Sequence, residues 1–228
     1  MTLDFNPQFS YIEDMKITFD IETIPQRAPL GPVAQKALEN KLAWQKNRNE
    51  EDDPDESVRR TMGTSPYLGE IITIGYQIGN QTPIALIGPE ETILKDFWKV
   101  LETFEGVFVS YNGIKFDVPF IIRRGMYYGI TPTNKNFLNL KRFSFYPHFD
   151  VYQALSDWGQ PNLTLSLDQA CEFFGIRSSK IDGIKASQVA QAFTEGRIKE
   201  IAEYCKRDVV ATAQIFELLA PYYYNLKN

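Results

Sequence analysis

Apolar and polar residues alternate strictly through the stretch KITFDIETIP, residues 16–25. Read as a strand, it sends Ile17, Phe19 and Ile21 to one face and Thr18, Asp20 and Glu22 to the other, because successive side chains alternate in direction. Two carboxylates then share a face about 7 Å apart, from the ~3.3 Å rise per residue. Either this is an edge strand with a solvated acidic face, or it is a central strand whose charged face opens on a cleft. The alternation ends at Gln26, and residues 26–69 look inserted. Within them GPVAQKALENKLAWQ is helix-prone. KNRNEEDDPDESVRR is polar and charge-dense with a proline, and reads as a solvated surface loop or as a flap near the end of the first strand.

Beyond the insertion, EIITIGYQIG and TPIALIG are β-branched runs separated by Asn80-Gln81, which predicts a hairpin. PEETILKDFWKVLETF places apolar residues at helical spacing, with Pro89 and Glu90 where a helix should begin. GVFVSYNG predicts a strand ended by Asn-Gly. FDVPFIIRRGMYYG predicts a helix with Asp117 as candidate N-cap and Pro119 in the first turn. NLTLSLDQACEFFG reads as a helix closed by Gly175. The run from Arg197 to Leu219 reads as a long helix burying Ile198, Ala202, Cys205, Val209, Ala213 and Phe216. Strands first and helices later predict a single α/β domain over residues 1–228, with a mixed sheet.

A composition of 43% hydrophobic and 14% aromatic residues is ample for a packed core. The net charge of −5 and pI near 5.1 argue against a wide basic surface, but leave room for a local phosphate-binding cleft. No run approaches the ~18 apolar residues of a membrane span, and the N-terminus lacks a secretory pattern, so no membrane contact and a cytoplasmic location are expected. Cys171 and Cys205 form no CxxC pair and fall in helical segments, as structural thiols do.

Several chemistries drop out. There is no P-loop, no dinucleotide GxGxxG and no GxSxG elbow. The single histidine, His148, sits among aromatics in FYPHFD and reads as a buried imidazole. Tyr204 and Asp208, four residues apart, share one face of the last helix, and Asp117 stands where a strand hands over to a helix. Carboxylates with a tyrosine are ligands for hard cations such as Mg²⁺ or Mn²⁺. Several acids in one cleft would repel one another unless cations neutralised them.

Together, FDIET, YNGIKFDVPF and YCKRDVVAT resemble the three motifs of the DEDD superfamily of ribonuclease H-like 3′ to 5′ exonucleases, spanning residues 20–208. The likeness is to the proofreading domain of family-B DNA polymerases and to stand-alone exonucleases related to it. With Tyr204 four residues before Asp208, the chain looks like the tyrosine branch. The resemblance implies a mixed five-stranded sheet flanked by helices, with Asp20 and Glu22 on its central strand. It implies that Asp20, Glu22, Asp117 and Asp208 bind two divalent cations, Mg²⁺ or Mn²⁺, and that Tyr204 orients the attacking water. Thr23, Asn112 and Phe116 match positions that hold the terminal nucleotides.

The implied reaction is two-metal release of nucleoside 5′-monophosphates from the 3′ end of single-stranded DNA, in preference to RNA. A polymerase or repair partner would act in trans. An exoribonuclease is the competing enzyme, and a non-catalytic nucleic-acid-binding accessory module the alternative of another class. Arg123, Arg124, Tyr127 and Tyr128, then Lys141, Arg142, Phe143 and Tyr146, mix cations with aromatics as single-strand surfaces do, although core packing competes for the aromatics. The 26–69 insertion departs from a minimal version of the fold.

Overall fold

In the computed structural model, which describes residues 16–46, 53–178 and 184–224, the alternating stretch forms β1 (Lys16–Pro25). Helices α1 (Pro32–Lys46) and α2 (Pro54–Gly63) follow, then the hairpin β2 (Gly69–Ile78) and β3 (Ile84–Ile87) and helix α3 (Glu90–Leu101). Next come β4 (Val107–Ser110), α4 (Asp117–Tyr127), β5 (His148–Asp150), α5 (Val151–Leu155) and α6 (Leu167–Phe174). Helix α7 (Val189–Thr194) and the long α8 (Ile198–Tyr224) complete the described chain.

The five strands form one mixed sheet in the order β3-β2-β1-β4-β5. β1 lies at its centre, antiparallel to β2 and parallel to β4. Ile17, Phe19 and Ile21 enter a core with Phe97 and Trp98 of α3 and Val118, Phe120 and Ile121 of α4. On the opposite side, Val107, Val109 and Phe149 are buried with Ile215 and Phe216 of α8 and Cys171 of α6. The sheet is therefore covered on both faces, which is why its central strand can be so apolar. Lys16 and Thr18, on the polar face of β1, are fully buried, and Lys16 forms an ion pair with Glu217 of α8.

Three local expectations differ from the structure, and two short elements carried none. The second half of the charged insertion is helical from Pro54, because Pro54 opens the helix and the Asp53 carboxylate accepts the Asp55 N–H at 3.1 Å. Polarity alone hid that helix. Asp117 is the first residue of α4 rather than its cap; the cap position is Phe116, which makes no side-chain capping bond. α6 begins only at Leu167, where Ser166 and Gln169 form a capping box. β5 and α5 show no legible period because they span only 3 and 5 residues.

Candidate active site

β1 and α8 cross so that the acidic end of the strand faces the middle of the helix. Gly75, paired with Asp20 across the β1–β2 ladder, permits this approach, since a Cβ there would stand 2.8 Å from the Cys205 sulfur. Cys205 Sγ lies 3.5 Å from both the carbonyl oxygen and Oδ2 of Asp20, donating weakly to each. Ligand atoms of Asp20, Glu22 and Cys205 all fall within 4.8 Å of one another. The β1–β2 register shifts between Glu22 and Thr23, so a bulge sits beside the acidic pair, where such irregularities re-aim side chains.

Asp117 reaches the same place from β1's other neighbour. The loop after β4 turns tightly through Gly113, where a Cβ would collide with Ser110 Oγ at 2.2 Å. At the start of α4 the Asp117 carboxylate then accepts the Ile21 N–H at 3.0 Å, in the middle of the Asp20–Glu22 stretch. One turn along α8 from Tyr204 stands Asp208, and the two side chains are hydrogen-bonded. The five residues expected from the three motifs, dispersed over residues 20–208, therefore meet in one cleft.

Electrostatics in this cleft are unfavourable to the bare acids. Burial, then the charges of Asp117, Glu22 and Asp208, holds the Asp20 carboxyl well above the usual carboxylate range. Glu22 is raised likewise, by burial and then by Asp208 and Asp117. Asp117 is pushed up to about 7, chiefly by burial, against the lowering effect of its backbone hydrogen bonds. Burial and then the neighbouring Asp208, Glu22 and Asp20 raise the Tyr204 hydroxyl, and burial with the same acids keeps the Cys205 thiol protonated. Clustered carboxylates that repel one another suit divalent cations, which need oxygen ligands and offset their charge. Asp20 and Glu22, whose oxygens lie within 4.8 Å of each other, thus offer the start of such a site, with Asp117 and Asp208 charged neighbours.

Thr23 and Phe116 line a cavity of about 340 Å³ that opens beside Glu22. The Thr23 hydroxyl donates to the Gly63 carbonyl at 2.7 Å, tying the end of β1 to the end of α2. Asn112 adopts a left-handed backbone, φ 62°, and its N–H is held by Asp150 Oδ1 at 2.9 Å. Of the other polar candidates, Arg124 is buried against Glu90, at 2.6 Å, and Tyr128 also bonds Glu90. These two are structural. Phe143, Tyr146 and Tyr127 are exposed, as are Lys141, Arg142 and Arg123. His148 is buried between Phe108 and Phe137, its Nε2 2.9 Å from the Phe137 carbonyl, and burial lowers its pKa to about 4.

Sequence reasoning missed Asp150. Fully buried, it accepts the Asn112, Ile114 and Gln153 N–H groups and so fixes the loop that delivers Asp117. An aspartate before a helical turn is an N-cap signal that could have exposed it. The wall that α2 builds around the cavity, with Arg59 and Arg60, was missed as well, because the segment read as loop.

The class this architecture defines is the ribonuclease H-like α/β fold of polymerase exonuclease domains. The family-B DNA polymerase of the hyperthermophilic archaeon Pyrobaculum calidifontis shares it with a TM-score of 0.60 at 17% identity, over 91% of this chain and 24% of that one. Within that class, the chain belongs to the family described as predicted 3′-5′ exonucleases related to the exonuclease domain of PolB, which matches residues 78–221, more than half of its length. The chain is also 24% identical over 178 residues to a DNA polymerase of Archaeoglobus fulgidus, covering 71% of this chain and 21% of that polymerase. It thus spans about a fifth to a quarter of these relatives. Asp20, Glu22 and Thr23 precede the family-matched segment, and only folding brings them to it. Among the described residues no helix is long and apolar enough to cross a membrane.

Proposed function

We propose that this protein is a metal-dependent exonuclease that removes nucleoside 5′-monophosphates from the 3′ end of single-stranded DNA. The observation that carries the reading is the convergence of four carboxylates and Tyr204 from β1, α4 and α8, with Asp20, Glu22 and Asp117 raised by burial and by neighbouring acids. The family, which joins this chain to polymerase exonuclease domains, supports the direction of attack. Two divalent cations held by Asp20, Glu22, Asp117 and Asp208 would neutralise the phosphodiester, lower the pKa of a water and stabilise the departing 3′ oxygen.

The chain's own groups then position. The high pKa of Tyr204 keeps its hydroxyl protonated, so it orients water rather than attacking. Backbone bonds from Ile21 to Asp117, and from Asn112 and Ile114 to Asp150, hold the acids in place before substrate arrives, which is what phosphoryl transfer asks of a protein. The cavity beside Glu22, walled by Phe116 and Pro25, accepts an unpaired nucleotide more readily than a duplex end.

A time course on a DNA oligonucleotide labelled at its 5′ end, with Mg²⁺, Mn²⁺ or EDTA, tests it. A metal-dependent ladder shortening from the 3′ end is expected. Matched RNA degraded faster than DNA would transfer the assignment to an exoribonuclease. Binding of both without turnover in either metal would overturn catalysis in favour of an accessory module.

A further inference from the structure

The cavity beside Glu22 does not end there. Its far wall carries Glu56, Arg59 and Arg60 of α2. Past Arg59 it runs on into a second cavity of about 750 Å³, lined by Arg27, Gln191 and Phe193 among others. Pro25, Arg59, Ser187 and Ala190 line both, so the two form one cleft between the insertion helix α2 and the segment leading into α7. Arg27 is fixed at its edge, bonded to Glu70 at 2.5 Å with its guanidinium 5.4 Å from the centre of the Phe193 ring. One end of the cleft thus carries Glu22, and the rest is largely apolar surface with three guanidinium groups and the carboxylate of Glu56.

We infer that this cleft is the track of the strand on the 5′ side of the scissile bond, and that Arg59 grips a backbone phosphate there. The inference rests on the exonuclease reading. A terminal nucleoside brings only the scissile phosphate, which the carboxylate-bound cations would neutralise, and it needs a closed pocket. Additional guanidinium groups, in a cleft that continues for more than one nucleotide, match the phosphates that exist only upstream. Apolar walls with an aromatic ring and cations suit an unpaired strand. Of the residues that line both cavities Arg59 alone is charged; it is more than half exposed and pairs with the exposed Asp53 at 3.9 Å, so its replacement should leave the fold intact.

The test compares Arg59→Ala and Arg59→Lys with Lys95→Ala, a control that removes one exposed charge from α3. The substrates are a 5′-labelled single-stranded oligothymidylate and the p-nitrophenyl ester of thymidine 5′-monophosphate, which keeps the terminal nucleoside but has no upstream strand. Binding of the oligothymidylate in EDTA is measured alongside. With Arg59→Ala, KM for the oligonucleotide should rise roughly ten-fold with kcat little moved, the effect of one charged hydrogen bond. The loss on the ester should be several-fold smaller. The salt dependence of binding should flatten by about 0.7 in log–log slope, one phosphate contact's share, and Arg59→Lys should restore part of the affinity.

Arg59→Ala behaving like Lys95→Ala overturns the inference and leaves the exonuclease standing. Equal losses on both substrates overturn it too, placing Arg59 at the terminal nucleoside. Wild-type protein inactive on both substrates removes the DNA exonuclease reading; the track then stands only if binding in EDTA still depends on Arg59.

Discussion

The interface between β1 and α8 has two polar ends, and they are built on opposite plans. At the N-terminal end of β1, the fully buried Lys16 meets Glu217 of α8, and its ammonium also lies 5.5 Å from the centre of the Phe216 ring. Four residues further along the same strand face, Asp20 and Glu22 meet Tyr204 and Asp208 of the same helix, and neighbouring acids raise both Asp20 and Glu22. The first end is complete within the chain. The second stores repulsion that a cation from solution would relieve, which separates a structural ion pair from a functional site.

The sharpest way to break the contrast is Asp20→Asn. It should cut metal-dependent cleavage by a factor on the order of 10³. It should also raise the melting temperature of the metal-free protein, because a repelling buried charge is gone. A fall in both would show that Asp20 is structural. Tyr204→Phe comes next: it keeps the ring and loses the hydroxyl bonded to Asp208, and kcat should drop roughly ten- to hundred-fold. Mn²⁺ binding, followed by calorimetry, should persist.

At the other end, Glu217→Gln leaves Lys16 buried without its counter-charge. Because the Glu217 side chain is 31% exposed, the loss should be about 2 kcal/mol by denaturant titration, below the range for a fully buried pair. Cleavage per folded molecule should stay near wild type. The smallest effect expected is on pH. Burial and mutual repulsion hold Asp20, Glu22 and Asp117 above their unfolded pKa values, so in the folded metal-free chain these groups bind more protons than in the unfolded one. Their contribution to stability is greatest in acid and is lost as pH rises through about 7, where Asp117 ionises. Divalent cations displace those protons. Mn²⁺ should therefore raise the melting temperature by a few degrees more at pH 8 than at pH 5, on the order of 1 kcal/mol, by differential scanning fluorimetry. An equal gain at both values would contradict the raised carboxyls.

Much of the architecture was legible before folding. The strict alternation of β1, the β-branched hairpin and the 3.6-residue stripe of α8 are local patterns, and each formed near its expected bounds. Where local signals compete, they misled. The acidic run before α2 masked a capped helix, and an aspartate beside Pro119 imitated an N-cap while its carboxylate was committed to β1. Arg124 and Tyr128 offered cation and ring in a helix, but burial gave both to Glu90.

What the sequence by itself determined is the set of parts: the strand and helix periods, the acids and tyrosine on definite faces, and the lack of nucleotide-loop and serine-hydrolase motifs. Those depend on neighbours a few residues away. The meeting of Asp20 with Cys205 across a sequence separation of 185, the bond from Ile21 to Asp117 across 96, the closure of Lys16 on Glu217 and the cleft that α2 walls with Arg59 were decided only by the tertiary structure. No residue's local pattern records which distant side chain will share its space, because that choice is made by packing both faces of the sheet at once.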